Sequence, residues 1–149
     1  MHNPAILYPV FALACWTALV LLLIPYFRVR AGLRREIVSE DFKYGESSRV
    51  PAYVSIPNRN YMNLLELPVL FYVVCLILYV TQLETQISAS SSSLILTLAW
   101  IYVALRIMHS IIHLSYNAVM HRLTAFALSN AVLVLIWILT AAQVANIKG

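Results

Sequence analysis

Four apolar runs, each long enough to cross a bilayer, occupy most of a chain of only 149 residues, about Ala5–Phe27, Asn60–Thr81, Leu94–Ser115 and Leu123–Val144. A transmembrane helix needs roughly 20 such residues. Hydrocarbon leaves no water for backbone N–H and C=O groups, so spanning segments satisfy them internally, as helices or closed barrels. A barrel would show alternating segments of about ten residues. These runs are continuous, so the chain reads as an all-α, integral membrane four-helix bundle forming one domain over residues 1–149. At 62% hydrophobic and 11% charged, the composition excludes an ordinary soluble domain.

What lies between the runs is short. Residues 28–57 form the one long connection, a serine-rich turn is expected at Ser88–Ser93, and a tighter turn near Asn117–Arg122. The first run is not read as a cleavable leader, because "MHNPA" before it carries no Lys or Arg. Cys15 and Cys75 fall inside spans and read as packing residues. Neither a disulfide nor a metal site is expected from their spacing.

Basic residues set the orientation. Arg28, Arg30, Arg34, Arg35, Lys43 and Arg49 crowd the first loop, and the second loop has none. Cytoplasmic loops collect Lys and Arg, so loops one and three are expected in the cytoplasm and both termini on the opposite side. The net charge of +4 follows from this bias and does not indicate nucleic acid.

Two spans carry polar lines. Arg59, Asn63 and Glu66 recur at i, i+4 and i+7, and Tyr102, Arg106, His109, His113 and Tyr116 at i, i+4, i+7, i+11 and i+14. Each set occupies one helix face. Ionisable groups in spans turn toward a bundle interior, another subunit or a wet cavity. At 1.5 Å per residue, Glu66 lies roughly 12 Å and Arg106 roughly 15 Å from the cytoplasmic side. Antiparallel neighbours at similar depth predict a Glu66–Arg106 ion pair. Pro68 is expected to loosen the helix just past Glu66 and free a carbonyl one turn back. Arg59, Arg28, Arg30 and Arg122 are expected to ring the cytoplasmic mouth of a polar cleft, a setting suited to an anionic ligand. His109 and His113 at i, i+4 have the spacing of a metal pair, but no facing span supplies further ligands. A proton relay through Glu66, His109 and His113 is a further reading of the same residues.

The segment "RNYMNLLELP" (Arg59–Pro68) resembles the second-helix signature of the MAPEG family, membrane-associated proteins of eicosanoid and glutathione metabolism. "FRVRAG" (Phe27–Gly32) resembles the end of that family's first helix. "RIMH" (Arg106–His109) is similar to the third-helix motif of its prostaglandin E synthase branch, and "RLTAFALS" (Arg122–Ser129) to the fourth helix of its leukotriene C4 synthase branch. His113 stands where relatives place a tyrosine.

The resemblance implies a homotrimer with glutathione, as co-substrate, held between subunits. Arg28, Arg30 and Arg59 would bind its carboxylates, and Asn63 and Glu66 its backbone and amino group. Tyr102, Arg106, His109 and Tyr116 would contribute hydrogen bonds or charge, and Arg122 would stabilise the thiolate as the catalytic residue. The implied activity is a glutathione-dependent transferase or peroxidase acting on lipophilic electrophiles or lipid hydroperoxides. The rival readings are a noncatalytic lipid- or small-molecule-binding protein of the same fold, and an accessory subunit of a larger membrane complex.

Overall fold

The computed structural model describes residues 4–81 and 89–146. Among them there is no strand, only an isolated bridge between Lys43 and Gly45. After a short 3-10 turn the helices are α1 (Leu7–Leu33), α2 (Ala52–Leu65), α3 (Pro68–Val80), α4 (Ala89–Leu114) and α5 (Val119–Asn146). α2 and α3 together make one span, so four stretches are long and apolar enough to cross a membrane. The protein is a multi-pass integral membrane protein.

Contacts along the helices fix their directions. Asn60, Asn63 and Phe71 meet Ser110, Arg106 and Tyr102 in turn, so the α2–α3 span runs antiparallel to α4. Arg106 and His109 on α4 meet Phe126 and Arg122 on α5, again in reversed order. α4 and α5 form the most extensive helix pair. Leu13, Val20, Leu64, Phe71, Leu78, Tyr102 and Ile136 form the buried core between the spans.

The connections differ from expectation at three places. α1 continues past the end of the apolar run near Phe27 through Arg28–Leu33, within the helical extension toward Glu36 that the sequence also allows, and stops where Arg35 takes a left-handed φ of 57°. The second span begins at Ala52 rather than Asn60. Both extensions have one cause. Ala31 near the end of α1 packs with Val50 and Val54, against which Ile37 and Phe42 also lie. This second small core keeps both helix ends wound and gives the connection between them a folded structure. Within it Asp41 accepts from the Val38 amide (3.0 Å) and from Arg49 (2.9 Å), while its own carbonyl accepts from Ser47 N–H (2.8 Å). The third difference is the serine run. Ala89–Ser93 belong to α4, and Ser88 lies outside the described residues.

Pro68 acts as its chemistry predicts. It has no N–H for the Leu64 carbonyl, so the span divides into α2 and α3 at Glu66–Leu67. The bonds across the break shorten to i→i−3, from Val69 to Glu66 and from Leu70 to Leu67.

Candidate functional site

The polar line on α4 is buried inside the protomer. Tyr102, Arg106, His109 and His113 are all inaccessible or nearly so, whereas Tyr116 at its end is exposed and meets His121 (3.1 Å). Tyr102 stacks on Phe71 with ring centroids 4.5 Å apart. Arg106 sits with its guanidinium 5.6 Å from the Phe126 ring centre and donates from Nη2 to the backbone carbonyl of Asn63.

The Glu66–Arg106 ion pair predicted from depth is therefore a correction. The acceptor is the last turn of α2, whose final carbonyls lack intrahelical donors. Glu66 is exposed and has no ion pair within 4 Å among the described residues. Its backbone at ψ −93° marks the break in the helix. On the α2 line Asn63 turns toward α4 and α5, while Arg59 and Glu66 lie at the surface. Arg59 is exposed and Asn63 half-buried, while the buried face of α2 is Val54, Ser55, Pro57, Asn60 and Leu64. Depth was sound as a guide to level but gave no information on rotation about the helix axis.

A cavity of about 240 Å³ lies where α2, α4 and α5 meet. Asn63, His109 and Arg122 line it, with Phe126, Val119 and Leu123 supplying apolar wall. The turn before α5 anchors Arg122. Asn117 adopts a left-handed φ of 49°, which Asn tolerates better than most residues, and its N–H returns to the Ile112 carbonyl (2.8 Å). Its side-chain oxygen accepts from Arg122 Nη1 at 2.6 Å and fixes that guanidinium. The Arg122 carbonyl lies 2.9 Å from His109 Nδ1. A carbonyl only accepts, so Nδ1 carries a proton, and in the neutral form of the ring Nε2 would be an acceptor. That Nε2 is buried and has no hydrogen-bond partner among the described residues.

The other predicted site residues lie apart from this cavity. Arg28 donates to Glu46 (3.3 Å) and stands over the Phe42 ring at 4.4 Å. Arg30 is exposed on the outward face of α1. Arg59, Glu66 and Tyr116 are exposed, and Tyr102 lies in the core.

Sequence reasoning passed over a polar centre one turn from this site. Ser110 Oγ accepts from Asn60 Nδ2 (2.7 Å) and from Trp16 Nε1 (2.9 Å), tying α1, α2 and α4 together. An asparagine inside an apolar span was the available signal, since such a group requires a partner. It went unread because Asn60 lies off the Arg59–Asn63–Glu66 line.

The MAPEG family model matches residues 6–142. The chain belongs to the MAPEG family. That match spans all four membrane segments, from the first turn of α1 almost to the end of α5. No curated protein and no solved structure matches the chain. Within this MAPEG protein, the Asn63–His109–Arg122 cavity brings together residues drawn from the second-, third- and fourth-span segments in which the family resemblance was found.

Proposed function

We propose that this protein is a glutathione-dependent transferase or peroxidase acting on lipophilic electrophiles or lipid hydroperoxides, and that it works as a homotrimer. The observation that carries the proposal is the convergence of Asn63, His109 and Arg122 on one cavity. A thiol near pKa 8.5 is mostly protonated at neutral pH, and an adjacent cation favours its thiolate. Arg122 supplies that cation, with Nη1 held by Asn117. His109 Nε2 offers an acceptor without a hydrogen-bond partner among the described residues. Family membership supports glutathione as the thiol.

The cavity's size also supports a shared site. At about 240 Å³ it is smaller than the ~300–1,000 Å³ of most ligand pockets. One protomer would then hold the thiol end of the tripeptide. Arg59 and Glu66, exposed on α2, would hold its carboxylate and amino groups from an adjacent copy. Transfer breaks the thiol S–H bond and forms a carbon–sulfur bond at the electrophile, which either expels a leaving group with its electron pair or, across an activated double bond, takes the proton at the neighbouring carbon. Peroxidation consumes two thiols, yielding an alcohol, water and the disulfide. The basic first connection would face the cytoplasm, where a water-soluble thiol is available, while the acceptor arrives from the bilayer.

Calorimetric titration of the detergent-solubilised protein with glutathione should show saturable binding that Arg59→Ala weakens strongly. An ultraviolet thiolate band should appear on binding and vanish in Arg122→Ala. No binding at millimolar glutathione removes the proposal. Binding without a thiolate band in the unaltered protein favours the noncatalytic reading.

A further inference from the structure

His109 and His113 stand one turn apart on α4, both buried, with ring centroids 6.1 Å apart. Each has a buried ring nitrogen, Nε2 of His109 and Nδ1 of His113, without a hydrogen-bond partner among the described residues. His109 also belongs to the wall of the Asn63–Arg122 cavity. Forming a thiolate there releases a proton, and the wall limits where that proton can go. An amide such as Asn63 is not a base, and a guanidinium such as Arg122 keeps its protons. Val119, Leu123 and Phe126 are apolar. Among the described wall residues, His109 alone can take a proton. Its Nδ1–H is committed to the Arg122 carbonyl (2.9 Å), which leaves Nε2 as the accepting atom.

We infer that His109 is the base that takes the thiol proton, and that His113 passes it to the aqueous side at the α4–α5 turn; this rests on the thiol reading of the cavity. The S–H bond breaks, sulfur keeps the electron pair beside Arg122, and the proton bonds to His109 Nε2. Arg106 on α4 and Arg122 on α5 are the cations acting on that ring, so the proton is passed on rather than stored. It crosses to Nδ1 of His113, whose Nε2 proton leaves in turn. Rings 6.1 Å apart are too distant for a direct hydrogen bond and within the span of one bridging water. The helix sets the direction. His113 lies in the last turn of α4, beside exposed Ser115 and Tyr116, and so nearer the water than His109. The charged groups acting on His113 are Arg122 and, from α2, Arg59, again cations. Glu66, the third member of the relay expected from the sequence, is exposed at the helix break and takes no part. An acceptor that expels a leaving group uses the whole path. One that adds across a double bond takes the proton back from His109.

The test is stopped-flow mixing of the full-length, detergent-solubilised protein with glutathione, without acceptor, in weak buffer holding a pH indicator. The ultraviolet thiolate band and the released proton are followed together. The unaltered protein should release a proton for each thiolate formed, at the same rate. His109→Gln keeps a donor for the Arg122 carbonyl and should still bind glutathione in calorimetry, while its band develops about 100-fold more slowly. His113→Gln should reach the same final band height more slowly, and millimolar imidazole should restore its rate. His121→Gln, which removes an exposed imidazole near the same turn, should leave rate and height unchanged. A band that forms at the unaltered rate in either the His109 or the His113 variant overturns the path. So does a slow His113→Gln that imidazole fails to restore, which makes that residue merely structural. A band in the unaltered protein that forms without a proton reaching solution also overturns it, even if both variants fail to fold. Absence of glutathione binding by the unaltered protein removes the thiol reading itself, which keeps the two failures distinct.

Discussion

Arg106 donates from Nη2 to the main-chain carbonyl of Asn63, and so a buried cation closes the C-terminus of a broken membrane helix. Pro68 lacks an N–H, and the helix stops at Leu65, leaving carbonyls of its last turn without helical donors. A cation at a helix C-terminus also meets the negative end of the macrodipole. Arg106 is thus explained by the proline rather than by the glutamate. Pro68→Ala should let the helix continue and supply the missing donors. Stability cycles in detergent should then show coupling between Pro68→Ala and Arg106→Met of about 1–2 kcal/mol, within the range for groups sharing one network. The coupling between Glu66→Gln and Arg106→Met should be the smaller of the two. The reverse order would restore the ion pair.

Ser110 has a larger structural role than its size implies. Its hydroxyl oxygen accepts from both Asn60 and Trp16, at zero exposure for Asn60 and Ser110. Ser110→Ala leaves two donors from two other helices unpaired. Interhelical hydrogen bonds in membranes average about 0.6 kcal/mol and reach about 1.7. The variant should therefore lose about 1–3 kcal/mol in unfolding by graded denaturing detergent. Thr140→Ala is the control, since that hydroxyl bonds only its own helix, to the Ile136 carbonyl at 2.8 Å. Equal losses would show that the three-helix connection contributes nothing beyond local packing.

Much of the fold was legible because hydrocarbon imposes a strict rule on the backbone. Continuous apolar length marked four spans, and Pro68 marked the break. The helix ends were less legible. Arg28–Leu33 and Ala52–Asn60 stay helical because Ala31, Val50 and Val54 pack together, a contact between residues distant in sequence. The site was partly legible. Periodicity found the α4 line, and Tyr102, Arg106, His109 and His113 are indeed buried along it. The same periodicity on α2 found a line of which Asn63 reaches the cavity while Arg59 and Glu66 are exposed, because spacing identifies a stripe without saying what each member faces. Asn117 escaped notice for a different reason. Its role depends on a left-handed backbone and a 2.6 Å contact to Arg122, both products of the turn.

That turn gives a direct test of positioning. Asn117→Gly keeps a residue comfortable at positive φ but removes the oxygen that holds Arg122. The variant should fold normally by circular dichroism and thermal unfolding. With glutathione bound, its thiolate band should be diminished, and the pH at which the band is half-developed should move upward, because a less fixed cation favours the thiolate less. Asn117→Asp restores an acceptor and should recover the position of Arg122 while adding a negative charge, so its band should remain weaker than that of the unaltered protein. An unchanged pH profile in Asn117→Gly would show that Arg122 needs no anchor.

The folded first connection should respond to acid in one direction only. The Asp41 carboxylate lies below its usual range, first because it accepts the Val38 amide and further because Arg49 stands against it. A carboxylate whose folded pKa is depressed stabilises the structure at any pH above the unfolded value, about 3.9 for Asp. That contribution fades as pH falls below 3.9 and is gone once pH passes through the lower folded value. Amide exchange at Ser47, whose N–H bonds the Asp41 carbonyl (2.8 Å), should therefore stay protected from pH 7 to about 4, after correction for the intrinsic rate, and accelerate below that. Asp41→Asn keeps an acceptor for Val38 but cannot titrate. It should show weaker protection at neutral pH and no further loss in acid. Protection in the unaltered protein that fails already between pH 7 and 5 would place the responsible group elsewhere, since a lowered Asp does not lose its charge there.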